Sequence, residues 1–81
     1  MTREEKWEEL DKAKSYEEVI KMLEKFNEDK TENWDCQWQD EPNEEDNVYL
    51  LIVYCEFTDE EGNECCEDWA LPNVYKKEGE E

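Results

Sequence analysis

The side chains in this sequence that could do chemistry are carboxylates and thiols. The chain has 27 acidic residues, four cysteines and no histidine. It therefore lacks the commonest general acid–base group, the usual partner of a nucleophilic serine or cysteine, and the commonest metal ligand. The carboxylates lie in runs that should be open surface, where no cleft shifts their pKa values for acid–base work. We predict that the protein is not an enzyme.

The cysteines are a second candidate for chemistry, as zinc ligands. Structural zinc sites usually take ligands from a Cys-x-x-Cys knuckle, but the only close pair here, Cys65 and Cys66, is adjacent in sequence. Adjacent side chains on a strand face opposite ways. No export signal or membrane-spanning stretch is apparent, so we predict reduced thiols in the cytoplasm of a host cell. We expect no metal and no cofactor.

The distribution of charge along the chain is uneven. Residues 1–30 hold ten acidic and seven basic side chains, residues 31–75 hold fourteen acidic and no basic ones, and residues 76–81 hold three and two. The net charge is −18. A surface without basic residues cannot neutralise phosphates, which argues against direct binding to DNA, RNA or an anionic membrane.

Two interpretations of the acidic half remain open. One is a solvated surface that only keeps the protein soluble. The other is a contact surface that offers carboxylates to a basic groove, as a duplex offers phosphates, and is steered to its target electrostatically. The candidate contacts of the second interpretation lie after the first strand and around the hairpin: Asp40, Glu41, Glu44, Glu45, Asp46, Asp59, Glu60, Glu61, Glu64, Glu67 and Asp68.

Two helices should open the chain. Thr2 and Glu5 have the spacing of a capping box, and Ser15 and Glu18 repeat it, which predicts two helices with a break between them. Apolar residues then follow at helical spacing on one face of each helix. We expect both helices to be amphipathic, with the break near Lys14 and Ser15.

The rest of the chain changes to the period of strands. Residues 33–40 alternate between apolar and polar side chains, and residues 48–57 are apolar on both faces. A three-residue loop closing with a bulge at Gly62 sets the hairpin register, in which Phe57 faces Cys65, Val53 faces Trp69 and Leu51 faces Leu71. The predicted fold is α+β, with the two helices on one face of a three-stranded antiparallel sheet.

This fold should occupy residues 1–75 as a single domain, followed by a frayed acidic tail at residues 76–81. Trp34 and Trp38 are expected in the core because alternation places both on one side of the first strand. The alternative is that one of them, or Tyr49, is exposed as an interface anchor.

The size, acidity and element order resemble phage-encoded inhibitors that mimic DNA. Asp46-Asn47-Val48-Tyr49-Leu50-Leu51 and Trp69-Ala70-Leu71 are similar to strand segments of the uracil-DNA glycosylase inhibitor family. The family's acidic Gln-Glu-Ser edge motif has no counterpart here, so its target does not carry over. Small acidic anti-CRISPR and anti-restriction proteins fit equally well.

The leading hypothesis is a non-catalytic inhibitor from a phage or mobile element that fills the nucleic-acid groove of a host defence enzyme. By analogy, the expected partner is a nuclease or a CRISPR effector. An immunity protein or antitoxin that caps a basic toxin uses the same physics, and a uracil-DNA glycosylase inhibitor is a further alternative. The remaining hypothesis is an acidic domain whose charge serves only solubility.

Overall fold

The computed structural model describes residues 2–77, in which two helices precede a three-stranded sheet. The helices are α1 (Arg3–Lys12) and α2 (Tyr16–Phe26), and the strands are β1 (Glu32–Trp38), β2 (Val48–Thr58) and β3 (Glu64–Lys77). Both strand pairs are antiparallel, in the order β1-β2-β3. The predicted α+β fold is confirmed. Among the described residues, neither helix combines the length and the apolar composition needed to cross a membrane.

Local hydrogen bonds at the helix starts follow the predicted caps. Thr2 and Glu5 form a complete capping box. At α2, the Ser15 hydroxyl accepts from the Glu18 N–H at 3.2 Å, but the Glu18 carboxylate accepts from the Lys14 N–H. α2 is therefore capped at Ser15, as predicted, but only half of the capping box forms. The Glu18 carboxylate binds the backbone N–H of Lys14 instead of that of Ser15.

The core lies between the helices and one face of the sheet. This helix-covered face carries the odd-numbered residues of β2, which are fully buried from Leu51 to Cys55, whereas the even-numbered residues turn to the other face. The cluster of buried side chains consists of Leu10, Ala13, Val19, Leu23, Phe26, Trp34, Leu51, Val53, Cys55, Leu71 and Val74. We call the opposite side, which carries the even-numbered residues of β2, the open face.

The hairpin between β2 and β3 has the predicted register at its turn. Phe57 pairs with Cys65 and Val53 with Trp69, and the Asp59 N–H donates to the Asn63 carbonyl at 2.9 Å. Gly62 has a φ of 87°, the left-handed conformation that the bulged loop requires. Trp69, however, is 55% exposed although its partner Val53 is fully buried. It lies on the edge strand β3, where its indole N–H donates to the Asp11 carboxylate of α1 at 2.9 Å.

The predicted pairing of Leu51 with Leu71 is wrong. Residues 71–74 of β3 form a bulge that lies opposite the single residue Leu51, between the pairs Ile52–Ala70 and Leu50–Tyr75. Pro72 has no N–H to give to the ladder, so the strand cannot keep regular pairing there. The bulge instead contacts α1, because the Asn73 side-chain amide donates to the Asp11 carbonyl at 2.9 Å.

The end of β3 extends beyond the predicted boundary of the domain. Lys76 pairs with Tyr49 and Lys77 with Val48, so these two residues belong to the sheet and are not a frayed tail. The Lys76 ammonium also lies 5.1 Å from the centre of the Trp38 ring, a distance at which a cation and an aromatic face attract each other. The other residues of the predicted tail, 78–81, lie outside the described residues.

At Trp34, the side chain of Asn27 closes the outer edge of β1. The Asn27 amide donates to the Trp34 carbonyl at 2.9 Å and accepts from the Trp34 N–H at 2.7 Å. Asn27 is the C-cap residue of α2. The side chain that follows the helix therefore binds both backbone groups of Trp34.

Val53→Ala should lower the free energy of unfolding by about 1.5–3 kcal/mol, because Val53 is fully buried at the centre of the sheet. Chemical denaturation of the two proteins measures the difference. Thr58→Ala, at the exposed end of the same strand, is the control and should change stability far less. An equal loss from both substitutions would contradict the central position of Val53.

Candidate acidic interface

The candidate carboxylates include two clusters at opposite ends of the sheet. The acidic loop, residues 40–46, joins β1 to β2, while the hairpin turn, residues 59–61, joins β2 to β3. Because β2 has 11 residues, the two ends are separated by roughly 33 Å. The described body measures 43 × 22 × 18 Å, so this strand runs along its long axis.

The acidic loop presents its carboxylates to solvent. Its shape comes from the backbone, because the Asn43 N–H donates to the Val48 carbonyl and the Asn47 N–H to the Asn43 carbonyl, both at 2.8 Å. Asn47 has a φ of 57°, a conformation that asparagine tolerates better than most residues. The five acidic residues of the loop are all exposed, and their carboxylates have no hydrogen bond or ion pair within residues 2–77: Asp40, Glu41, Glu44, Glu45 and Asp46.

Asp59 has a structural role in the turn that the sequence analysis did not assign. Its carboxylate oxygen Oδ1 accepts from the N–H groups of Glu61 and Asn63, both at 2.9 Å. The hydrogen bond from the Asn63 backbone is the main reason that the pKa of Asp59 lies below its usual value. Asp59 therefore organises the hairpin, whereas Glu60 and Glu61 are exposed.

Asp59→Asn should destabilise the protein at neutral pH, and the loss should shrink as the solution is acidified. The ionised form of Asp59 is favoured in the folded state, so its contribution is present above the unfolded pKa of roughly 3.9 and disappears as pH falls through the lower folded pKa. Thermal melts of both proteins between neutral pH and pH ~3 measure the difference. A gap between the melting temperatures that stays constant with pH would contradict this role.

The three candidates on β3 divide between the two faces of the sheet. Glu67 pairs with Cys55 and lies on the helix-covered face, where its Oε1 accepts from Arg3 Nε at 3.0 Å and from Trp7 Nε1 at 3.1 Å. It is therefore bound by α1 and is a poor candidate for contact with a partner. Glu64 and Asp68 are exposed and lie on the open face.

The basic residues of α1 reach acidic residues of the sheet. Lys6 is buried and forms an ion pair with Glu32, whose other oxygen lies 3.7 Å from Arg3. The Lys6 side chain is 7% exposed and the Glu32 side chain is 10% exposed. Glu32 and Glu67, which pack against α1, are thus compensated by its basic residues, whereas the carboxylates of the acidic loop are not.

Two acidic residues of the open face were missing from the candidate set. Asp35 of β1 and Glu56 of β2 are exposed, and Asp35 and Asp68 flank Tyr54 across the three strands. The alternation of β1 placed Asp35 opposite the tryptophans, so the signal was present in the sequence. Because the helices cover only one face of the sheet, this alternation identifies Asp35 as an open-face residue.

The two tryptophans of β1 belong to the core side, as expected. Trp34 is 2% exposed and lies between the rings of Trp7 and Phe26, at 4.9 and 5.2 Å between centroids. Trp38 is partly buried and stacks on Tyr16 at 5.6 Å. Within the described residues, the large apolar side chains that are most exposed are Tyr16, Trp69 and Tyr75.

The thiols differ widely in environment. Burial raises the pKa of Cys55 to about 12, and burial followed by the charge of Asp35 raises the pKa of Cys36. Cys65 and Cys66 lie on opposite faces of β3, facing Phe57 and Glu56. In residues 2–77, no three cysteine or carboxylate side chains are arranged as metal ligands.

Comparison of the chain with models of known protein families, with curated proteins and with solved structures gives no match. The functional argument therefore depends on the surface itself.

Proposed function

We propose that the protein is a non-catalytic acidic inhibitor that occupies the basic nucleic-acid groove of another protein. The observation that carries the proposal is the arrangement of uncompensated carboxylates along the whole length of the sheet. Of the eleven candidates, Asp59 and Glu67 are engaged within the fold, and the other nine have no such bond within residues 2–77. On the open face, Glu56 is a further exposed carboxylate without such a bond, and Asp35 is exposed although its Oδ1 accepts from the Cys36 N–H at 2.8 Å.

The dimensions of the body support mimicry of a nucleic acid. A duplex as long as the 43 Å body carries roughly 25 phosphate charges, and this chain has 27 acidic residues and a net charge of −18. Charges at both ends of a rigid sheet can meet basic residues spread along a groove. A surface that only confers solubility needs no such concentration, because a net charge of about 2–8 is sufficient for a small domain.

By analogy with phage-encoded inhibitors, the partner in this proposal is a nuclease or CRISPR effector of a host cell, met in its cytoplasm. Many charge pairs would form at once in such a complex. We therefore expect fast association and binding that weakens steeply with salt, and we expect nucleic acid and this protein to exclude each other.

The experiment has two stages. Proteins that bind the immobilised chain at low salt are captured from a nuclease-treated bacterial lysate, and each captured protein is purified. A fluorescent DNA or RNA ligand of that protein is then titrated with this chain. Displacement of the nucleic acid, together with loss of nuclease activity, is the expected result.

Poly-glutamate of matched total charge is the control for charge alone. It should displace the nucleic acid far less effectively, because it lacks the fixed arrangement of the sheet. A captured protein that binds this chain and its nucleic acid at the same time would contradict the proposal, and so would equal inhibition by poly-glutamate.

A further inference from the structure

The open face of the sheet has an apolar centre as well as an acidic margin. Leu50, Ile52 and Tyr54 follow one another along the middle of this face on β2, and all three are only half-buried. Ala70 pairs with Ile52, and Tyr75, which is 54% exposed, pairs with Leu50. These five side chains form what we call the apolar stripe.

Carboxylates border the stripe on several sides. Asp35 and Asp68 lie on either side of Tyr54, and Glu56 and Glu64 lie beyond it towards the hairpin turn. Lys77, at the opposite end of the face beside Val48, is the only basic residue that strand alternation places on this side within residues 2–77. An apolar centre surrounded by polar groups is the usual anatomy of a protein interface.

A second copy of this chain is a poor occupant of the face. Two open faces brought together would place the carboxylates of both copies well inside the screening length of roughly 10 Å, where they repel each other. A partner with an apolar centre and a margin of lysine and arginine matches both parts of the surface.

We propose that the open face is the docking surface, and that it fits a basic groove with an apolar or aromatic floor. Grooves of this kind bind single-stranded nucleic acid, because aromatic side chains stack on the bases while basic side chains follow the phosphates. In the complex, Tyr54 and Tyr75 take the place of bases, and Asp35, Asp68 and Glu56 take the place of phosphates. That the partner has a nucleic-acid groove rests on the proposed function. That the contact lies on the open face rests on the residues of the sheet alone.

Two short basic peptides test the face while the natural partner is still unidentified. One alternates Lys and Phe, and the other has the same length and charge but has Gly in place of every Phe. The Lys–Phe peptide should bind about tenfold more tightly. The amide shifts that change in NMR spectra should be those of the open-face residues of all three strands.

A matched pair of substitutions tests whether the apolar stripe causes the preference for the Lys–Phe peptide. Ile52→Thr removes an apolar group from the stripe but keeps a β-branched residue in the strand, and it should abolish most of the tenfold preference. Ile20→Thr makes the same change on α2, where Ile20 is also half-buried, and should leave the preference intact. Circular dichroism shows whether both variants are folded.

Equal affinity for the two peptides, shift changes confined to the helices, or an unchanged preference in Ile52→Thr would overturn the inference. It would also be overturned if sedimentation shows a dimer that Ile52→Thr dissociates, because the face would then bind a second copy. If the peptides map to the open face but the chain displaces no nucleic acid from captured proteins, the proposed function fails and the docking surface stands.

Discussion

Replacing Glu44, Glu45 and Asp46 together with lysine is expected to abolish binding to a captured partner. These three side chains lie in the acidic loop and have no intramolecular partner within residues 2–77, so their reversal changes the contact surface without removing an interaction of the fold. In a basic groove the substituted lysines would repel the residues that the carboxylates attracted. Affinity for the captured partner at low salt measures the loss, and circular dichroism checks the fold.

The control reverses an equal number of charges on the helical side. Glu17, Glu24 and Glu28 are exposed residues on or just after α2, and their replacement by lysine should weaken binding far less. Equal losses of affinity from the helix and loop variants would mean that binding depends only on the total charge of the protein. A loss from the helix variant alone would assign the contact to the other side of the molecule.

A further variant tests the other end of the sheet. Glu60 and Glu61 can be reversed to lysine as a pair, while Asp59 is left in place because it organises the turn. If the contact runs along the whole sheet, this pair should also weaken binding. Full affinity in this variant would confine the contact to the end that carries the acidic loop.

The second large effect is expected at the ion pair under α1. Lys6→Met should lower the free energy of unfolding by about 3 kcal/mol, because it leaves the buried Glu32 carboxylate with Arg3, at 3.7 Å, as its remaining cation. The stem of methionine keeps much of the packing of lysine, so the loss reports mainly the uncompensated charge. Urea denaturation provides the measurement.

Two further variants separate the buried charge from other causes. Lys6→Met combined with Glu32→Gln should recover much of the lost stability, because no unpaired charge then stays buried. Lys12→Met breaks the exposed pair with Glu9, which lies at 4.0 Å, and should cost no more than about 0.5 kcal/mol. If Lys6→Met costs as little as Lys12→Met, the Lys6–Glu32 pair does not stabilise the fold.

The parts of this fold that depend on neighbours in sequence were predictable. The capping residues Thr2 and Ser15 marked where the helices begin, and alternation in β1 separated Trp34 from Asp35. The hairpin register followed from the position of Gly62. Each of these features depends on contacts between residues only a few positions apart, or on a repeating pattern that leaves one consistent pairing.

The features that were missed depend on contacts between distant residues. Lys6 and Glu32 are 26 positions apart, and Arg3 and Glu67 are 64 apart, so no spacing in the sequence indicates that they meet. The predicted register already separates Glu67 from Asp68 by face, but only the folded structure shows that Arg3 and Trp7 of α1 bind Glu67. The bulge of β3 was signalled only by Pro72, and its length depends on how residues 71–74 pack against α1.

The amide of Asn27 also affects how copies of this protein behave at high concentration. β1 is an edge strand, and the free backbone groups of an edge strand are a template on which a further strand from another molecule can grow into an intermolecular sheet. At Trp34 both groups are already hydrogen-bonded to Asn27, so a strand added along this edge would have to break two bonds before making its own. The residue that ends α2 therefore also obstructs aggregation at the edge of β1, and it does so without adding a charge.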